Sequence, residues 1–176
     1  MGQLVEEGEG TEVSDVQLRL REFRAEDASR VAQLVGDKEL SKWTSSIPYP
    51  YSLEDAQVWI ESMKTDSSRS SYAVEWDGKL VACVAHWPEE PDGIEVGYWV
   101  GREYWGKGIG SKALGLLLVS GHISPETDIY AKVMAANIGS RRVLEKCGFS
   151  FYENGRIHKA GNDLEAKFYI RRARAS

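Results

Sequence analysis

Apolar positions recur along the chain with two different periods, and these periods predict a mixture of strands and helices. Apolar and polar residues alternate over residues 17–23, which is typical of a strand with one solvated face. Helical spacing of apolar residues follows over residues 28–35 and again over residues 53–63. Ser52, with Asp55 three residues later, has the pattern of a capping box. The first third of the chain is therefore predicted to be a strand followed by two helices.

The middle of the chain carries strand patterns separated by turn residues. Residues 72–76 and 79–87 flank Asp77-Gly78, a dipeptide that favours a type I′ hairpin turn. A second turn over residues 88–93 leads into an apolar, aromatic run over residues 94–100. The pattern predicts an antiparallel meander of three strands.

The second half returns to alternating helices and strands. An apolar helix over residues 113–119 precedes a strand over residues 129–134, and a crossover of this length predicts a right-handed connection between parallel strands. A helix over residues 138–147 ends at Gly148. The chain is then predicted to close with a hairpin of residues 149–154 and 164–170, with a polar turn between them.

Length and composition favour one globular domain. The chain has 176 residues, of which 42% are hydrophobic, and neither a repeat nor a second domain is evident. The predicted boundaries are a flexible acidic leader (1–14), a single domain (15–172) and a tail (173–176).

Bulk properties also narrow the function classes. No apolar run approaches the roughly 20 residues of a membrane span. No signal peptide is evident, and Cys83 and Cys147 have no metal-like spacing, so a reducing cytoplasm is expected. The net charge of −5 disfavours nucleic acid as a partner and mildly favours amine substrates.

A glycine-rich loop between the run 94–100 and the next helix predicts an anion site. Glycines allow close backbone approach, and the following helix start presents amides to a phosphate. Gly101-x-x-x-x-Gly106-Lys107 is similar to a phosphate-binding P-loop, but Gly108 replaces the hydroxyl residue that holds magnesium. Gly108-x-Gly110-x-x-Ala113 is similar to a dinucleotide fingerprint, but it starts too far beyond Val100.

Two segments together resemble the GNAT superfamily of N-acetyltransferases. Tyr104-Trp105-Gly106-Lys107-Gly108-Ile109-Gly110-Ser111 resembles its acyl-CoA signature, Arg/Gln-x-x-Gly-x-Gly/Ala, with Trp105 at the Arg/Gln position. About thirty residues later, the segment from Asn137-x-x-Ser140 to Gly148-Phe149 resembles its second signature. In having Tyr-Trp-Gly at this place, the chain resembles the branch of the family that acetylates the N-termini of ribosomal proteins.

The resemblance implies an α+β fold, a three-layer α/β/α sandwich. Its sheet would be seven-stranded, mixed and mostly antiparallel, with a splayed parallel pair and about four helices. Acetyl-CoA would be the cosubstrate, and no metal is implied. The implied cofactor contacts come from three segments: Tyr98, Trp99 and Val100; Trp105, Gly106, Lys107, Gly108, Ile109, Gly110 and Ser111; and Asn137.

The resemblance also implies direct attack of an amine on the thioester, so a base and an acid are needed. Glu95 is the candidate base because it precedes the strand end where the amine should arrive, and Glu75 is held in reserve. Ser140 is the candidate acid for the leaving thiolate. Many relatives carry a tyrosine that acts as this acid at the position of Leu144. Tyr98 and Tyr152 are therefore alternative candidates for the acid.

The acceptor is the least determined part. Trp43, Tyr49 and Tyr51 are candidates for lining its pocket. A protein N-terminal α-amine, an aminoglycoside, a polyamine and an amino acid all remain open, and so does a monomer or a homodimer. The alternatives of another class are a non-catalytic acyl-CoA sensor and a P-loop phosphotransferase. His86 and His122 have no ligand partner at useful spacing and are interpreted as ordinary histidines.

Overall fold

Helices and strands alternate through residues 17–174, which are the residues described by a computed structural model of the protein. The leader predicted for residues 1–14 lies outside them. The described elements are β1 Leu18–Arg21, α1 Ala28–Val35, α2 Lys38–Ser41, α3 Leu53–Ser62, β2 Ser70–Trp76, β3 Lys79–Glu89, β4 Gly93–Val100, α4 Ile109–Val119, β5 Ile129–Met134, α5 Ile138–Lys146, β6 Ser150–Lys159 and β7 Asn162–Arg171. Short 3₁₀ turns, Ala25–Asp27 and Arg102–Tyr104, precede α1 and the glycine loop.

The strands of the described chain form one mixed sheet in the order β1-β2-β3-β4-β5-β7-β6. Every neighbouring pair is antiparallel except β4 and β5, which are parallel. The parallel pairing covers only Ile94 with Ile129 and Glu95 with Tyr130, after which the two strands separate. The predicted seven-stranded sheet with a splayed parallel pair is therefore confirmed.

Alternation along the strands supplies both faces of the sheet with apolar side chains. Ala73, Cys83 and Trp99 pack with α1 and α3 in one buried cluster. Val74 and Val96 face the other way and pack with α4 and α5 in a second cluster. Helices therefore cover both faces, as the three-layer prediction requires.

A short helix, α2, was not expected from the sequence. Its N-cap is Asp37, whose Oδ1 accepts hydrogen bonds from the backbone N–H groups of Glu39 at 2.8 Å and Leu40 at 3.0 Å. Four residues are too few to show an apolar period, so only the cap residue carried a signal.

The boundaries predicted for the closing hairpin were wrong. Its strands β6 and β7 are ten residues each, and the turn between them is only Ala160-Gly161, with positive φ angles of 48° and 80°. Because β6 is an edge strand with mostly exposed side chains, its polar residues read as a turn.

After β7 the chain remains attached to the fold. The backbone N–H of Ala173 and the guanidinium of Arg172 donate to Asp128 at 2.7 Å and 2.8 Å. The backbone N–H of Arg174 donates to the carbonyl of Pro125 at 3.0 Å. Within residues 17–174, no helix has the length and apolar character that crossing a membrane would need.

Candidate active site

A cavity of about 1200 Å³ opens where β4 and β5 separate. One end reaches the glycine loop at Gly106, Gly108 and Gly110. The other end lies under the connection between α2 and α3, at residues 43–48. Because β4 no longer pairs with β5 beyond Glu95, the facing strand edges have backbone groups available to a ligand. The splay therefore provides both space and hydrogen-bonding partners.

The glycine loop ends at the N-terminus of α4. Gly106 and Gly108 have φ angles of 73° and 75°, a left-handed conformation that glycine adopts without the cost of a Cβ. The first backbone hydrogen bond of the helix joins the N–H of Lys112 to the carbonyl of Gly108 at 3.1 Å. Within the described chain no side chain caps this end, so the amides of residues 109–111 are suited to an anion.

Trp105 has a structural role in this loop. Its indole Nε1–H donates a 2.8 Å hydrogen bond to the carbonyl of Val100, which fixes the loop to the end of β4. Lys107 and Ser111 lie outside the cavity lining. The Lys107 ammonium lies 5.7 Å from the centre of the Tyr104 ring, and the Ser111 hydroxyl donates back to Gly108.

Two of the three candidate acids, Tyr98 and Ser140, lie in contact. Tyr98 points from β4 toward α5, where its hydroxyl lies 2.5 Å from Ser140 Oγ and 3.1 Å from the Ser140 carbonyl. Asn137 caps α5 by accepting from the backbone N–H of Ser140 at 3.1 Å. Burial raises the pKa of Tyr98 well above its usual range, while the hydrogen bond to Ser140 opposes the shift. Tyr152, in contrast, is about half exposed and outside the cavity.

Glu95 lies on the opposite face of β4 and lines the cavity. Its Oε2 lies 3.0 Å from the ammonium of Lys132, which also contacts Glu89 at 2.8 Å. Burial raises the pKa of Glu95, and the hydrogen bond and charge of Lys132 partly oppose this. The Glu95 side chain is 12% exposed, and one cation holds its carboxylate in place.

Glu75, the reserve candidate, is not brought to the site. Its two carboxylate oxygens contact Arg19 at 2.5 Å and Arg21 at 2.6 Å, and it does not line the cavity. The hydrogen bond from Arg21 lowers the pKa of Glu75. Both features suit an ion-pair network between β1 and β2 rather than proton transfer.

The cavity lining contains some of the aromatic residues that were expected to form an acceptor pocket and others that were not anticipated. Trp43 and Tyr51 line the cavity, whereas Tyr49 is 53% exposed and lies outside the lining. Trp59, Trp87, Arg69 and Lys132 also line it, and none of them was singled out from the sequence. Only Lys132 had a sequence signal, since the alternation over 129–134 directs it away from Ala131 and Val133 and toward the face of Glu95.

The two histidines considered earlier lie together on the other face of the sheet. The rings of His122 and His86 stack on Tyr72, with centroids 4.5 Å and 6.1 Å away. His86 Nε2 is buried and has no hydrogen-bond partner within residues 17–174. Burial, with a smaller contribution from the charge of His122, lowers the pKa of His86.

Two solved structures with the same fold are complexes with acetyl-CoA or coenzyme A. The microcin C7 self-immunity acetyltransferase MccE, in complex with acetyl-CoA and AMP, superposes with a TM-score of 0.76 at 19% identity, covering 90% of this chain and 93% of MccE. RimL, a ribosomal L7/L12 α-N-protein acetyltransferase in complex with coenzyme A, also gives a TM-score of 0.76, at 20% identity over 90% of this chain and 95% of RimL. These likenesses concern the fold.

Sequence comparison extends the likeness to the family. An uncharacterized N-acetyltransferase, p20 of Bacillus licheniformis, is 31% identical over 140 residues, covering 75% of this chain and 78% of p20. A family model described as an acetyltransferase (GNAT) domain matches residues 17–150, which include the whole glycine loop and α5. The chain therefore belongs to the GNAT acetyltransferase family.

Proposed function

We propose that the protein transfers an acetyl group from acetyl-CoA to a primary amine, by direct attack within a ternary complex. The observation that carries the proposal is one continuous cavity that joins the amides at the start of α4 to the partly buried carboxylate of Glu95. A substrate with a pyrophosphate at one end and a thioester at the other fits such a cavity. Its fixed end would bind the glycine loop, and its reactive end would lie between Glu95 and Tyr98.

The substrate-binding part of the proposal rests on the backbone. The amides of residues 109–111 receive the pyrophosphate, helped by the positive end of the α4 dipole. The pantetheine arm runs along β4 where that strand has separated from β5, and it pairs with backbone groups there. The hydrogen bond from Trp105 to Val100 holds the glycine loop against the end of β4.

Glu95 is proposed to remove a proton from the acceptor amine. Amines are mostly protonated at neutral pH, since the pKa of lysine is about 10.4 and that of an α-amine about 7.7–8.0. A carboxylate whose pKa is raised by burial is a stronger base than an ordinary glutamate, and it takes the proton directly or through one water. The freed nitrogen lone pair then attacks the thioester carbonyl, whose oxygen a backbone amide near Val100 stabilises.

Collapse of the tetrahedral intermediate forms the amide and breaks the carbon–sulfur bond, so the electron pair leaves on sulfur. We assign Tyr98 as the donor in its hydrogen bond with Ser140 Oγ, so that the Ser140 hydroxyl can donate its own hydrogen bond to the thiolate. A thiol with an ordinary pKa near 8.5 needs only modest help of this kind. The two candidate acids thus act as one hydrogen-bonded pair.

The proposed acceptor is an α-amine. Its pKa is closer to neutrality than that of a lysine amine, so a larger fraction is already deprotonated and the base has less work to do. The shared fold with RimL supports a protein N-terminus as one source of that amine. The fold alone does not select among acceptors, so the side chains at the open end of the cavity must do so.

Thermal unfolding and thiol release test this proposal. Acetyl-CoA at 100 times its Kd should stabilise the protein by about 2.7 kcal/mol, whereas ATP with magnesium should not. Thiol should then be released from acetyl-CoA only when an amine is present. A shift with the nucleotide alone would identify a phosphotransferase. Binding of acetyl-CoA without thiol release across a broad amine panel would identify a sensor.

A further inference from the structure

Three side chains of the cavity lining, Arg69, Trp87 and Glu95, lie in one row across the sheet. Trp87 on β3 pairs in register with Glu95 on β4. Ser70 pairs with His86, so continuing the antiparallel register by one residue sets Arg69 beside Trp87 on the far side from Glu95. All three line the cavity. With neighbouring strands about 4.8 Å apart, the backbones of Arg69 and Glu95 are about 10 Å from each other.

Trp87 serves as a platform for Arg69. The guanidinium carbon of Arg69 lies 4.2 Å from the centre of a Trp87 ring, within the range of a cation–π contact. The indole in turn leans over Gly97, where an added Cβ would lie only 2.8 Å from Trp87 Cη2. Gly97 thus leaves the space that the indole occupies, and the indole holds the guanidinium on the face of the sheet that carries Glu95.

The charges around Arg69 leave its guanidinium available to a ligand. Lys132, the other cation in the cavity lining of the described residues, is shared between Glu89 and Glu95. For Arg69, no carboxylate of residues 17–174 comes within ion-pair distance. The nearby Asp66 already accepts hydrogen bonds from Ser68. The cavity therefore contains a partly buried base, Glu95, and a cation without an ion-pair partner among the described residues, Arg69.

We infer that Arg69 is an oxyanion subsite, and that the acceptor carries a carboxylate or a phosphonate near its reacting amine. The inference rests on the proposed function and names the acceptor class for that same site. A planar guanidinium fork binds two oxygens of such a group at once, which an ammonium cannot do. With the amine at Glu95, the anionic group of a small amphoteric molecule or of an acidic peptide N-terminus comes within reach of Arg69.

Acceptor pairs that differ only in the anion test the subsite. The pairs are an α-amino acid and its carboxamide, an aminoalkylphosphonate and its neutral diester, and a peptide with an acidic second residue and the same peptide with its amide. For the pair that matches the natural source, kcat/KM should favour the anionic member by about tenfold or more, the size expected for a hydrogen bond to a charged group.

Substitution of Arg69 then assigns that preference. Arg69→Gln should reduce the anionic-to-neutral ratio of kcat/KM to about one, mainly through KM of the anionic acceptor. Arg69→Lys keeps the charge without the fork and should give an intermediate ratio. The matched control is Arg156→Gln, because Arg156 is exposed on β6 outside the cavity, and this variant should keep the wild-type ratio.

The outcomes separate this inference from the proposed function. If the wild type acetylates both members of every pair equally, or if Arg69→Gln keeps the wild-type ratio, the subsite is wrong while the acetyltransferase stands. If the wild type releases no thiol with any amine, the proposed function fails, and the subsite fails with it.

Discussion

Replacing Glu95 with glutamine removes the proposed base while keeping the shape of the side chain. Lys132 retains its 2.8 Å contact with Glu89, so Glu95→Gln does not leave the Lys132 ammonium without an ion-pair partner. The substituted amide can still accept a hydrogen bond from Lys132 in place of the carboxylate. The thermal stability of the variant should therefore stay close to that of the wild type, and its kinetics should report on proton transfer.

The expected loss follows from what the carboxylate does. A positioned general base contributes about 10²- to 10⁴-fold, which corresponds to about 2.7–5.4 kcal/mol of transition-state stabilisation. An α-amine with a pKa near 8 is already about one-tenth neutral at pH 7, so the lower end, about 10²-fold, applies to such acceptors. A lysine-type amine should lose more, because far less of it is neutral without a base.

The assay is thiol release from acetyl-CoA, with kcat/KM followed across pH. Burial raises the pKa of Glu95, so the wild-type rate should fall on the acidic side at a higher pH than an ordinary glutamate would give. Glu95→Gln should lack that limb. The control Glu89→Gln removes a neighbouring negative charge and should shift the limb to lower pH while retaining activity. An unchanged kcat/KM at every pH in Glu95→Gln would refute Glu95 as the base.

Three further predictions follow from single contacts. Lys132→Met removes the hydrogen bond and charge that lower the pKa of Glu95, so the acidic limb of kcat/KM should move to higher pH; a shift to lower pH would contradict the assignment. Trp105→Phe removes the 2.8 Å hydrogen bond to Val100 and should raise KM for acetyl-CoA by about 2- to 10-fold, the equivalent of one neutral hydrogen bond; an unchanged KM would show that this bond does not shape the loop. Because burial holds the pKa of His86 below its ordinary value, the unfolded state binds more protons, and the unfolding free energy should fall as pH drops through about 6.5. His86→Phe should flatten that dependence in thermal unfolding measured from pH 7.5 to 5, and an identical slope in the variant would assign the effect to other groups.

Local patterns predicted the elements that have strong local signals. The capping box of Ser52 and Asp55 forms at the start of α3, and Asp77-Gly78 makes the turn between β2 and β3 with positive φ at both residues. The length of β6 was not predictable in the same way, since an exposed edge strand has no buried face to impose alternation. Elements are thus predictable where burial or a turn requires a particular residue type, and they are not predictable where neither applies.

The site depends on contacts that are distant in sequence. Whether Glu95 or Glu75 faces the cavity could not be decided until pairing showed that arginines of β1 hold Glu75. Arg69 reaches the site from the loop just before β2, Lys132 reaches it from β5, and neither residue belongs to a motif. Trp105 was a departure from the signature, and only its contact with Val100 shows what the indole does.

The most direct test of acetyl transfer by direct attack uses acetyl-CoA labelled in the acetyl group, with the protein mass measured alongside thiol release. Without an amine, the label should stay on acetyl-CoA, and the protein should gain no acetyl mass. With an acceptor amine, one thiol should be released for each amine that becomes labelled. Thiol release without an amine, in a burst equal to the protein concentration and with an acetylated protein, would contradict the account.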